Sequence, residues 1–259
     1  TELMTKFPDS KYTGEAHFAI GEYHFENEKW SDAYKEYAYL IKNKKHSLHI
    51  IAFYKGAWCL YRLGKTNEGI TYLDYIIKSG QAAKAKSNTS SKQINTARLE
   101  SEALKDLVVF FADVGETKRA ISYFRSLNTP EAKASIEKLA TYYSNKGNLE
   151  EAHYVYQYLI AQEPRSKKAF DYQYRIVNNY FFAKNAAKFK QELYRWIVNY
   201  GPRYAWYKEN QADKAFIEKS VQLREQTLRN YVLQQHQTAQ NSRAEFSQKS
   251  TDEGYKLYF

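Results

Sequence analysis

One cysteine, Cys59, stands in 259 residues, so the chain forms no internal disulfide and supplies no multi-cysteine metal cage. Glycine and proline are scarce as well, at 10 and 4, which leaves too little punctuation for the many turns of a β-rich fold. Long apolar runs are missing: Leu107 to Ala112 is among the longest, far short of the roughly 20 residues a membrane-crossing helix needs. Acidic residues are outnumbered, 29 against 39 Lys and Arg, for a net charge of +10. No G-x-S-x-G, glycine-rich phosphate loop or H-E-x-x-H occurs. Of the six histidines, His46 and His49 have the one-turn spacing of a metal pair, but no third ligand follows at a suitable spacing. No cofactor, no metal and no catalytic activity are therefore expected. What the sequence has in plenty is aromatic: 25 Tyr, 14 Phe and 4 Trp.

Those aromatics recur. A small residue is followed four places later by an aromatic or Leu at Ala33 and Tyr37, Gly69 and Leu73, Ala120 and Phe124, and Ala152 and Tyr156. In the last three, a glycine lies five places before the small residue, at Gly64, Gly115 and Gly147; Glu28 holds that place in the first. About twelve residues before each small residue lies another small or β-branched one, Gly21, Ala57, Val108 and Ala140, within a stretch of helical period. The pattern predicts helical hairpins: two antiparallel helices that turn at the glycine and approach closely where side chains are small.

The run Ile136, Leu139, Ala140, Tyr143, Gly147, Ala152, Tyr156, Leu159 and Pro164 resembles the tetratricopeptide repeat. Leu104, Leu107, Phe111, Gly115, Ala120, Phe124 and Leu127 form a second copy, and His17, Ile20, Gly21, His24, Ala33 and Tyr37 a third. The resemblance implies an all-α, right-handed superhelical solenoid of antiparallel helix hairpins that serves as a non-catalytic scaffold for protein partners. Hairpins are expected at about 14–47, 50–79, 101–130, 133–164 and 167–200, the last with a turn at Lys184 to Ala187 that lacks glycine. Between the second and third, residues 80–100 read as a basic, polar insertion, either a loop or a fraying helix extension, exposed to solvent. A long helix is expected over 207–248, with Ile217, Val221, Leu228 and Val232 as its apolar stripe, and residues 250–259 read as the start of a truncated helix. Both ends look cut, so the chain reads as an excerpt of a longer solenoid.

In tetratricopeptide repeats the first helix of each hairpin lines the concave face. Carried over by register, the candidate partner-binding residues are Tyr54, Trp58, Tyr61 and Arg62 in the second hairpin, and Tyr174, Asn178, Phe181 and Phe182 in the fifth. Glu15, Phe18, Glu22 and Glu26 are their counterparts in the first. The Lys and Asn pair with which co-chaperone members grip a peptide carboxylate is absent, because those places hold Phe18 with Glu22, Tyr54 with Trp58, Lys105 with Val109, and Glu137 with Thr141. The phrases FPDSKYTGEAHFAIGEYHFENEKWSDAYKEY and EEAHYVYQYLIAQEPRSKKAF are similar to bacterial envelope adaptors of the outer-membrane lipoprotein and cell-division-coordinator type. That likeness implies a periplasmic or outer-membrane-associated protein of a Gram-negative bacterium, held at the envelope through a segment preceding this chain, with the cytoplasm as the alternative. The excess of Lys and Arg keeps a second class open: a basic solenoid that binds nucleic acid or an anionic membrane surface through clusters such as Lys84, Lys86 and Lys92.

Overall fold

Five turns of the chain close in one way, whether or not glycine is present. In the computed structural model, which describes residues 6, 10, 12–85, 91–242, 252, 253 and 256, with side chains except those of 83–85, 91–97, 239, 241 and 242, all regular structure is helical. Helices α1 (Thr13–Glu26) and α2 (Trp30–Lys42) form the first hairpin, and α3 (His49–Arg62) and α4 (Thr66–Ala85) the second. The third joins α5 (Ser91–Asp113) to α6 (Thr117–Leu127), the fourth α7 (Pro130–Asn145) to α8 (Leu149–Gln162), and the fifth α9 (Lys167–Phe182) to α10 (Ala186–Asn199). A short α11 (Ala205–Asn210) and a long α12 (Lys214–Ser242) follow.

At each hairpin turn one residue takes a left-handed conformation: Glu28 (φ 57°), Gly64 (75°), Gly115 (71°), Gly147 (76°) and Lys184 (56°). Each donates its amide to the carbonyl three residues back, and the next amide reaches five back, as from Lys65 to Leu60 at 2.8 Å and from Asn185 to Tyr180 at 3.0 Å. This double closure satisfies carbonyls that the end of a helix leaves without partners. A Cβ at Gly64, Gly115 or Gly147 would meet nothing within 4 Å, so glycine is favoured there by backbone conformation alone. Glu28 and Lys184 bear the left-handed strain.

The chain divides into two compact units, Thr1–Tyr142 and Tyr143–Phe259. In the first, the small residues sit where helices touch. A Cβ on Gly69 would lie 3.0 Å from the carbonyl oxygen of Ala57 and 2.9 Å from Cε2 of Phe110. One on Gly21 would lie 2.7 Å from the ring of Tyr37. Around these crossings Tyr37, Leu40, Leu60, Leu73, Leu107, Phe110, Phe111 and Phe124 are buried. The expected insertion extends helices at both ends, one of the two readings of its sequence, but it is not solvent exposed throughout. Ser79 to Ala85 prolongs α4, Ser91 to Arg98 opens α5, and the two long helices pack together. They do so because Gly80 has no side chain: its Cβ would fall 2.5 Å from a carboxylate oxygen of Glu100, which is itself only 5% exposed. Gly80 is thus buried rather than solvent exposed. The side chains of Lys84, Lys86 and Lys92 lie outside the described residues.

In the second unit, Ala152, Val155, Tyr156, Ile176, Val177, Tyr180, Leu193 and Trp196 form the core. Phe170 stacks on Trp206 at 5.2 Å, and the Trp206 indole donates to the carbonyl of Ser166 at 2.7 Å, which fixes α11. The helix expected over 207–248 is in fact broken at Gln211–Asp213, where Asp213 caps α12 by accepting from the Phe216 amide at 3.1 Å. Its inward stripe also differs from the sequence reading. Ile217, Leu228 and Val232 are buried, but Val221 is 41% exposed and Arg224 turns inward. The physical reason is a helix end: the Arg224 guanidinium donates to the Ile197 carbonyl at 3.1 Å, at the C-terminus of α10, where a cation is favoured. Most of 243–259, including Tyr255, Tyr258 and Phe259, lies outside the described residues.

Two substitutions test this account. Gly69→Ala, which would stabilise an exposed helix, should here lower stability by about 1 to 3 kcal/mol through overpacking against Ala57 and Phe110. Lys184→Gly should raise it by up to about 1 kcal/mol by relieving the left-handed strain. Denaturant titration of each variant measures both; a stabilised Gly69→Ala protein would mean that the two helices are not held this close.

Candidate partner-binding surface

The first helices of successive hairpins in the first unit are tied side by side by polar groups. Between α1 and α3, Lys55 donates to Glu22 at 2.8 Å while its ammonium lies 4.6 Å from the centre of the Phe25 ring, and Tyr37 donates to the same carboxylate. Between α3 and α5, the Trp58 indole donates to Asp106 at 2.9 Å, Tyr54 bonds the same carboxylate, and Tyr61 donates to Asp113. Between α5 and α7, Tyr142 donates to the other oxygen of Asp113 at 3.0 Å.

Tyr54, Trp58 and Tyr61 are brought together as the sequence suggested, yet they are only half-exposed. Phe110 of α5 lies beneath them: the Tyr61 ring stacks on it at 4.5 Å and Trp58 meets it edge-on at 5.3 Å. These rings therefore both join two hairpins and line a surface. Arg62 is exposed, and its guanidinium turns away over the Trp30 ring at 5.4 Å. Burial raises the Asp106 carboxyl above the ordinary carboxylate range, against the pull of its bonds to Tyr54 and Trp58. Tyr54 is pushed up to about 12, chiefly by burial, and Tyr61 to about 12, chiefly by its bond to Asp113. Both hydroxyls are donors at neutral pH.

The second set behaves differently. Tyr174 stacks on Trp196 at 4.8 Å and is half-buried, as is Asn178. Its neighbour Asn179 makes the tie between first helices, donating to Ser144 at 2.8 Å. Phe181 and Phe182 are open, at 47% and 77% exposure, beside the Lys184 turn. On the far side of the same hairpin a cavity of about 640 Å³ runs along α10, lined by Ala187, Gln191, Tyr194 and, from α12, Tyr231, with Lys190 bonded to Glu253 at its rim.

The reading by register named no candidates on α5 or α7, so Asp106, Phe110, Asp113 and Tyr142 were missed. The signal was present: two aspartates seven residues apart bracket the apolar run LVVFFA. Chemically reactive groups are committed elsewhere. His49 is fixed by the Leu40 carbonyl at 3.0 Å and the Tyr75 hydroxyl at 3.0 Å, so it does not pair with His46. Burial pushes the Cys59 thiol up to about 12. Among the described residues no group of three His, Cys, Asp or Glu could hold a metal, and no helix is long and apolar enough to cross a membrane.

Residues 51–79, which are α3 and most of α4, match the tetratricopeptide repeat family. Among solved structures, a tetratricopeptide repeat protein from Parabacteroides merdae is 15% identical over 98% of this chain and 88% of its own, with a TM-score of 0.40. The nearly identical TPR-like repeats of a kinesin light chain from Podosopora anserina are 12% identical over 72% of this chain and 95% of theirs, with a TM-score of 0.38. No curated protein matches the chain.

The raised Asp106 carboxyl has a measurable consequence. The folded state holds this proton more tightly than the unfolded one, so the associated stability is present below the unfolded carboxylate pKa and fades as pH rises through the folded value. Between about pH 4 and pH 7, the stability of the native protein relative to Asp106→Asn should therefore decline as pH rises. Denaturation curves across that range check the sign; a relative gain with rising pH would mean that the two donors outweigh burial.

Proposed function

We propose that the protein is a non-catalytic scaffold that binds a protein segment across the first helices of its hairpins, as an adaptor in a bacterial envelope assembly. The observation that carries this reading is the arrangement of Tyr54, Trp58 and Tyr61. On the one hairpin that matches the repeat family, these rings stand half-exposed and are held rigid by Phe110, Asp106 and Asp113. Tyr and Trp side chains are prominent among the residues that dominate binding energy at protein interfaces. The envelope part of the proposal rests on the likeness of the two sequence phrases quoted above.

No observation on the described surface favours the nucleic-acid alternative. Basic residues there are widely engaged: Lys35 with Asp32, Lys78 with Asp74, Lys105 with Glu102, and Arg229 with Glu225. A photo-crosslinking residue at Arg62 or Tyr142 should trap a protein partner in the native host, whereas one at Arg125, exposed on the second helix α6, should not. Adducts with nucleic acid, or protein adducts from Arg125 alone, would overturn the reading. Recovery of the protein in the cytosolic fraction would remove the envelope role while leaving the scaffold.

A further inference from the structure

Two carboxylates on the surface just described carry charge that no salt bridge among the described residues compensates, with Lys105 acting on Asp106 only from a distance. Asp106 and Asp113 stand on α5 two turns apart, about 10 Å along its axis. Their donors are Trp58, Tyr54, Tyr61 and Tyr142, all neutral at physiological pH. Among the described residues no Lys or Arg forms a salt bridge with either one. The neighbouring base Lys105 is bonded to Glu102 at 2.9 Å. Elsewhere on this face the pattern is different, since Glu22 is matched by Lys55 at 2.8 Å. A chain of net charge +10 thus keeps an acidic strip on the surface formed by α3, α5 and α7.

The strip is framed by rings. Trp58 and Tyr61 meet edge-on at 5.5 Å, and Phe110 beneath Tyr61 prevents either from swinging away. A carboxylate beside an aromatic face is the environment that ammonium and guanidinium groups prefer: the ion gains a charge-assisted bond from one side and the ring quadrupole from the other. The protein makes this pairing with its own side chains nearby, where Lys55 is held between the Phe25 ring and Glu22.

We propose that the segment bound on this face is basic, an extended stretch of a partner protein that presents Lys or Arg side chains to Asp106 and Asp113. The distance between the two carboxylates corresponds to about three residues of an extended chain of the polyproline II type, in which side chains three apart face the same side. The cationic ends lie against Trp58, Tyr61 and Tyr142 and supply the charge the fold omits. This chemistry is opposite in sign to a clamp for peptide carboxylates. It deepens the scaffold reading and rests on it.

The test uses the whole chain and three short unstructured peptides that differ only at two positions three apart, occupied by Arg, Gln or Glu. Fluorescence anisotropy at physiological ionic strength should show the Arg peptide binding at least about tenfold more tightly than the Gln peptide, and the Glu peptide most weakly. The double change Asp106→Asn and Asp113→Asn should abolish the preference, and Glu131→Gln, on the exposed start of α7, should not. Asp113 is exposed, so Asp113→Asn alone, checked by its melting curve, keeps the test informative should the double variant unfold; it should weaken the Arg peptide and leave the Gln peptide unchanged. Equal binding of Arg and Gln peptides, a preference for Glu, or an Arg preference undiminished by Asp113→Asn overturns the proposal. In that event protein adducts from Tyr142 would still uphold the scaffold, whereas their absence there would remove the scaffold itself.

Discussion

Gly69 and the backbone of Ala57 approach so closely that even a methyl group would not fit comfortably between α4 and α3. The rest of the first unit depends on such crossings. Helices that touch at small residues bring their flanking large side chains into the grooves on either side, which is how Tyr37, Leu73 and Phe124 become fully buried. The turn that precedes each second helix must reverse the chain within a few residues for the crossing to fall at the same height. The left-handed residue at position 28, 64, 115, 147 or 184 accomplishes this. Close approach and tight reversal together set first helices beside first helices, and only then can Trp58 reach Asp106 or Tyr142 reach Asp113.

Many polar groups inside these hairpins follow one rule, being met by a group of fixed position, although the buried Trp196 indole nitrogen has no hydrogen-bond partner among the described residues. Glu192 is 2% exposed, and it accepts from Arg195 at 2.9 Å and from Gln173 at 2.7 Å. His49 is held between a carbonyl and a tyrosine hydroxyl. Such bonds cost little when complete and much when one partner is lost. Asp106 and Asp113 obey the rule for hydrogen bonds but not for charge, since neutral donors satisfy their lone pairs without neutralising them. That separation of hydrogen bonding from charge leaves an electrostatic surface available to a partner without loosening the fold.

The abundance of tyrosine has a related physical reason. A tyrosine at a hairpin boundary can bury its ring and still send its hydroxyl to a carboxylate on the next helix. Tyr61 does this to Asp113, Tyr123 to Asp74 at 3.0 Å, and Tyr142 to Asp113. Phenylalanine would supply the same packing without the tie. The aromatic excess is therefore as much a matter of joining neighbouring hairpins as of filling cores.

The sequence by itself determined the helical hairpins, because a period of small and large residues repeats whatever the chain does at long range. Gly64, Gly115 and Gly147 marked their turns for the same reason, and Tyr54, Trp58 and Tyr61 could be placed on one helix face from spacing alone. The turns at Glu28 and Lys184 were legible only by analogy, since neither residue favours a left-handed conformation. Other features were decided by tertiary structure. Whether the aromatic face lay open or packed depended on Phe110 from the next hairpin, and the acidic strip on which side chains of α3 and α7 meet Asp106 and Asp113, which periodicity does not resolve. Gly80 became buried only because a second long helix brought Glu100 against it. Arg224 displaced Val221 from the inward stripe because the end of α10 offered carbonyls there. Local patterns record what a helix needs along itself; which neighbour it meets, and with what charge, is settled by contacts between residues far apart in the chain.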